Sequence, residues 1–270
     1  MTAQVAVIQM VSSAHVATNL DQARRLLAKA AQAGARLAVL PENVACMTPD
    51  MAQLHIIAEQ EGDGPIQQAL AAMARRHRLW LVAGTIPLLA ADGRLTNTCL
   101  VFDDTGQRVA RYDKIHLFDV DVPGGEVHRE SAYFAPGREV VVLDTPVGRL
   151  GLAVCFDLRF PELFRAMVAQ GAELIALPAA FTYATGRVHW EVLLRARAIE
   201  NLCFVLASAQ GGLHFPGRMT FGHSQIIGPW GEVLACHAQG PGLALAPLDR
   251  NAQRELRRRF PVLALAHRVL

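Results

Sequence analysis

Residues 31–42, AQAGARLAVLPE, decide the fold, because they return as VAQGAELIALPA at residues 168–179. Each copy reads as the end of a helical pattern, a glycine that stops it, a short apolar run and then Leu-Pro. Working outward from the first copy, residues 5–9 have strand character and residues 20–33 are periodic as an amphipathic helix ended by Gly34. Residues 36–40 then form a second strand stopped by Pro41. This is a βαβ unit, expected to be right-handed. Around the second copy, residues 140–143 and 151–154 flank the turn Pro146-Val147-Gly148 as a hairpin whose second strand Cys155 closes. Pro161 suits a first helical turn, and Leu163, Phe164, Met167 and Val168 follow on one helical face.

Between and after the copies, residues 79–86 read as a strand, and residues 97–102 pair with 108–112 across the turn at 103–106. Strands at 203–208 and 224–227 follow, the latter forming a hairpin with 232–235 through 228–231. Many strands alternating with a few helices predict a layered α/β fold, and the absence of a linker-like segment makes residues 1–270 one domain.

Composition excludes several classes. The net charge of +2 is too mild for a nucleic-acid binder, and the basic cluster ELRRRF at 255–260 reads as a solvated helix face. No apolar run approaches the ~20 residues that span a bilayer. The opening MTAQVAVIQM lacks a basic segment and a cleavage site and reads as a strand, so a cytoplasmic location is expected. Five cysteines, at 46, 99, 155, 203 and 236, contain no C-x-x-C pair, which argues against a disulfide framework and a thiolate zinc site. Cys99, Cys203 and Cys236 lie in apolar strands where burial is expected. The ten histidines include no HExxH. His116, His189 and His223 are expected to hold loops, and no metal is expected.

Three polar residues stand where apolar strands run out: Glu42 in LAVLPEN, Lys114 in YDKIHLFD and Cys155 in LAVCFD. Alone, Cys155 reads as a small buried hydrophobe. A strand end before a helix is also where α/β sheets bind ligands, and the helix start would favour a thiolate there. Together the three residues supply a nucleophile, a base and a cation for a developing oxyanion.

In these three motifs, their order and their spacing, the sequence resembles the nitrilase superfamily of carbon–nitrogen hydrolases over nearly its whole length. RESAYFAPG (129–137), CFDLRFPELFR (155–165), GRVHWEVLLRARAIEN (186–201) and FGHSQIIGPWGEV (221–233) are most similar to its Nit group. Phe221 and residues 211–219 depart from that pattern. The resemblance implies a four-layer αββα sandwich of two pseudo-symmetric halves and a cofactor-free hydrolysis through a cysteine thioester. Glu42 would be the base and acid, Lys114 and the Phe156 N–H the oxyanion donors, and Glu130 a support for the lysine. Arg159 would meet a substrate carboxylate, with Phe181 and Thr185 lining the pocket. The substrate implied is a small 2-oxo acid amide, deaminated glutathione foremost, giving 2-oxoglutarate and cysteinylglycine.

Alternatives are an ω-amidase acting on 2-oxoglutaramate and a non-catalytic binding protein of the same fold; a papain-like Cys-His arrangement is the weakest. A homodimer is also implied, through helices starting near Pro161 and His189 that carry Phe164, Met167, Val168, Trp190, Val192, Leu193 and Leu194. No nucleic-acid or membrane partner is expected.

Overall fold

The computed structural model describes residues 2–122 and 127–265. In the first half the strands are Thr2–Gln9 (β1), Leu37–Val39 (β2), Trp80–Val82 (β3), Ile86–Leu89 (β4), Leu95–Phe102 (β5) and Arg108–Asp113 (β6), followed by the small pair Asp119–Asp121 (β7) and Val127–Arg129 (β8). In the second they are Val142–Thr145 (β9), Gly148–Leu152 (β10), Leu174–Ala179 (β11), Phe204–Ala209 (β12), Gly211–Phe215 (β13), Arg218–Phe221 (β14), Ser224–Ile227 (β15), Val233–His237 (β16) and Gly242–Asp249 (β17). The helices are Val16–Gln32 (α1), Met51–Ile57 (α2), Pro65–His77 (α3), Pro161–Ala169 (α4), Tyr183–Asn201 (α5), Arg250–Arg259 (α6) and Val262–Leu265 (α7).

One sheet runs β17-β1-β2-β3-β5-β4 with β6 also on β5, and the other runs β16-β15-β12-β11-β10-β9. Each has three parallel strands at its centre, β1-β2-β3 and β10-β11-β12, flanked by antiparallel ones. Strand alternation builds the layers. Val5, Val7, Leu37 and Val39 turn toward the core shared with Leu150, Leu152 and Leu174 of the second sheet. Ala6, Ile8, Ala38 and Leu40 turn the other way, under Leu26 and Leu27 of α1 and Leu70 and Met73 of α3. Phe164 and Met167 of α4 and Trp190 and Leu194 of α5 cover the second sheet. The result is the αββα sandwich.

The repeated motif does the same work twice. Gly34 and Gly171 follow α1 and α4 with φ of +82° and +88°, the left-handed conformation that ends a helix, and each feeds a central parallel strand.

Several expectations need correction. The first helix starts at Val16, a turn before residue 20. The strand expected at 79–86 is two, β3 and β4, broken at Gly84; a Cβ there would lie 2.1 Å from the Pro41 carbonyl oxygen. The strand before Cys155 ends at Leu152, and Cys155 opens a 3-10 turn, Cys155–Arg159. The helix expected from His189 begins at Tyr183. Of the apolar residues assigned to a dimer contact, Phe164, Met167, Trp190 and Leu194 are buried in the protein's own core, while Val192 is 67% exposed. Cys236, on the edge strand β16, is exposed rather than buried. The basic cluster is only partly solvated: Arg257 reaches inward to donate to the Leu202 and Ala172 carbonyls.

Candidate active site

The carboxyl ends of the central strands meet at one cavity of about 540 Å³. Glu42 follows β2, Lys114 follows β6, Glu130 opens a 3-10 turn after β8, and Cys155 lies three residues beyond β10; all four line the cavity. Lys114 and Glu42 are nearly inaccessible, at 2% and 3% exposure. Lys114 Nζ donates to Glu42 Oε1 at 3.0 Å and to Glu130 Oε2 at 2.8 Å. Asn97 of β5 donates from Nδ2 to Glu42 Oε1 at 2.9 Å and to Glu130 Oε1 at 3.0 Å. The Phe118 N–H adds a 2.6 Å bond to Glu130. Gln210 of the second half holds the Glu42 backbone, donating to its carbonyl at 2.9 Å.

Cys155 is buried and has φ of +48°, a left-handed conformation that costs a non-glycine residue of order 1–3 kcal/mol. The sharp turn aims Sγ at the carboxylate and ammonium. Its own hydrogen bonding starts with Asp157 N–H to the Val154 carbonyl at 3.0 Å, so the turn uses no N–H of Phe156.

The charges set the resting state. Burial, then the Glu42 carboxylate, hold the Cys155 thiol well above the ordinary cysteine range, against the Lys114 ammonium and the Ala180 N–H. Burial and Glu42 thus act against the thiolate that the helix start would favour. For Lys114, burial alone would pull the ammonium down, but Glu130 and Glu42 outweigh it and hold it well above the ordinary lysine range.

A narrow side chamber opens at Cys155, lined by Phe118, Phe156, Arg159, Ala180, Phe181, Thr182 and Thr185. The Arg159 guanidinium sits 5.7 Å from the Phe156 ring centre and 5.3 Å from that of Phe181, and 3.4 Å from His189 Nδ1. No carboxylate among the described residues acts on it, and burial draws its pKa below the ordinary guanidinium value. Thr185 shares a 2.9 Å hydroxyl bond with Thr182, the residue that caps α5. The larger chamber on the other side is walled by Met47, Met51 and Leu54, by Tyr133 and Phe134, and by Phe215 and Arg218 of the β13–β14 hairpin.

The sequence-predicted residues Glu42, Lys114, Glu130, Phe156, Arg159, Phe181 and Thr185 thus all stand around Cys155. Sequence reading missed Asn97, whose one signal is an amide in a strand between Thr96 and Thr98, and Asp157. His116 and His223 hold loops, through Asp157 and the Phe221 carbonyl respectively. No group of metal-ligating side chains is found among the described residues.

This is the layout of an enzyme that attacks an acyl carbon with a thiol. The carbon-nitrogen hydrolase profile matches residues 4–258. The chain is 43% identical to the deaminated glutathione amidase of Yersinia enterocolitica, over 97% of this chain and 92% of that one. Its structure is similar to the nitrilase and fragile histidine triad fusion protein NitFhit of C. elegans, with a TM-score of 0.91 and 36% identity, covering 97% of this chain and 64% of the fusion. It is also similar to Saccharomyces cerevisiae Nit3, a member of branch 10 of the nitrilase superfamily, with a TM-score of 0.87 and 28% identity over 96% of this chain and 94% of that one. The chain belongs to the carbon-nitrogen hydrolase family. It is an amidase of the nitrilase superfamily.

Proposed function

We propose that this amidase cleaves deaminated glutathione to 2-oxoglutarate and cysteinylglycine, with Cys155 as nucleophile. The observation that carries the reading is the two-sided cavity. On one side Arg159, which meets no carboxylate among the described residues, suits the 2-oxo acid carboxylate, and the wide chamber on the other leaves room for a dipeptide amine. The name carried by the Yersinia relative supports the same substrate.

The charge count explains the proton transfer. Glu42, Glu130 and the Lys114 ammonium leave one negative charge, so ionising Cys155 by losing its proton to solvent would add a second in a buried site. Passing the proton to Glu42 keeps the count unchanged. The sulfur then bonds to the amide carbon, Lys114 and the Phe156 N–H hold the oxyanion, and Glu42 returns the proton to the departing nitrogen as the C–N bond breaks. Water enters, Glu42 takes its proton, hydroxyl adds to the thioester carbon, and the C–S bond breaks with the proton returning to sulfur.

The alternative, an ω-amidase, releases ammonia, which would draw no binding energy from the wide chamber. The test is kcat/KM for deaminated glutathione against 2-oxoglutaramate on one preparation. A preference of about tenfold or more for the former is expected. Equal or better activity on 2-oxoglutaramate would move the protein to the ω-amidases, and turnover by a Cys155→Ala variant would remove the nucleophile assignment. We further infer that the protein acts in the cytoplasm, a reading supported by five free thiols. We also infer a homodimer, supported by the exposed stripe of Val188, Val192 and Ile199 on α5.

A further inference from the structure

The two oxyanion donors come from opposite halves of the molecule, Lys114 from beyond β6 and the Phe156 N–H from the turn after β10. One carboxylate spans that gap. Asp157 is fully buried and follows Phe156 directly. Its Oδ2 accepts from the Val154 N–H at 2.8 Å, within the nucleophile turn, and from the Tyr112 hydroxyl at 2.6 Å. Its Oδ1 accepts from the His116 N–H at 3.0 Å and lies 2.7 Å from His116 Nδ1. Tyr112 and His116 stand two residues before and two residues after Lys114. Three contacts therefore tie both flanks of the lysine to the turn that carries Cys155 and Phe156, and the fourth braces that turn from within.

We propose that Asp157 is a positioning residue that fixes Lys114 Nζ and the Phe156 N–H in one register, so that the oxyanion site exists before substrate arrives. This rests on the assignment of Cys155 as nucleophile and Lys114 as oxyanion donor. Every donor on Asp157 belongs to the backbone or side chains of these two segments, so the carboxylate has no contact with the cavity and acts only through them. Packing alone would hold the two sheets together at this point, since Tyr112 lies in the shared core. What packing does not set is the angle between a long lysine side chain and a backbone N–H, and a misplacement of about 1 Å in such a site can cost on the order of 10²-fold in rate.

The test separates positioning from folding. Tyr112→Phe removes one bond while keeping the ring in the core, and Asp157→Asn removes the charge that all four donors share. Each is assayed for kcat and KM on deaminated glutathione, and for the rate at which iodoacetamide alkylates Cys155. Alkylation forms a C–S bond by displacing iodide and develops no oxyanion. The expected result is a fall in kcat of about tenfold for Tyr112→Phe and on the order of 10²-fold for Asp157→Asn, of the size seen when an oxyanion donor is lost. KM and the alkylation rate of Tyr112→Phe should stay within about twofold of the parent protein, as for a contact made in the transition state. The proposal is overturned if Tyr112→Phe keeps its kcat, or if its kcat and alkylation rate fall together, since the second outcome means a generally loosened turn. If instead Cys155→Ala retains turnover, the nucleophile assignment fails first, and with it the premise.

Discussion

Removing the Glu42 charge and removing the Lys114 charge should move the Cys155 thiol in opposite directions. Its pKa is raised by burial and by Glu42 and lowered by Lys114, so Glu42→Gln should bring the titration down and Lys114→Met should push it further up. Thiolate absorbance, referenced to Cys155→Ser, would follow this, since burial holds Cys46 at about 11 and Cys203 at about 12, clear of the neutral range. At a fixed pH just above neutral, Glu42→Gln should carry more thiolate than the parent protein and yet turn over far less substrate. Movement of both variants in the same direction would contradict the charge assignment. At this scale the sequence was informative where chemistry narrows the choice of residue: a carboxylate, an ammonium and a thiol at strand ends are legible as a set. Asn97 and Asp157 were not, because an amide in a strand or an acid after a cysteine acquires meaning only from partners distant in the chain, such as Glu42 and Tyr112.

At the scale of elements, the repeated segments explain both what was legible and what was not. Helix, glycine, strand and Leu-Pro recur because each half needs the same helix stop and the same central strand. The repeat also sets Ala179 against Glu42, so the second half has an alanine where the first has its carboxylate, and the adjoining Ala180 N–H instead faces the sulfur. The break between β3 and β4 was hidden, since what requires Gly84 is the Pro41 carbonyl, a neighbour across the fold. Gly84→Ala should therefore do two things. A left-handed alanine (φ +66°) and a Cβ driven into backbone should cost about 2–4 kcal/mol of stability. The displaced Pro41 should also carry Glu42 with it, so that kcat falls more than the residual folded fraction accounts for. Denaturant titration beside kcat on the folded protein checks both, and an unchanged midpoint would show that the loop absorbs the methyl group.

For the whole molecule, the proposed dimer is narrowed by what the core has already taken. Trp190 and Leu194 are inside, leaving Val188 and Val192 at 58% and 67% exposure and Ile199 at 44% along one stripe of α5. Trp230 (59% exposed) stands on the neighbouring β15–β16 turn, whose Gly231 carbonyl is gripped by Arg195 at 2.7 Å. Exposed apolar surface of this kind marks an interface. Val192→Glu should shift sedimentation equilibrium toward monomer at micromolar concentration, and a parent protein that is already monomeric there would contradict the dimer.

The pairing of β1 with β17 reaches from Thr2↔Asp249 to Gln9↔Gly242, so β1 is completed by a strand far away in sequence. A ribosome delivers these segments in that order, and domains fold as their chain emerges. Until residues 242–249 appear, the apolar strand TAQVAVIQ has an open edge able to pair with any extended chain nearby. Completion of the first sheet therefore waits until residues 242–249 have been translated.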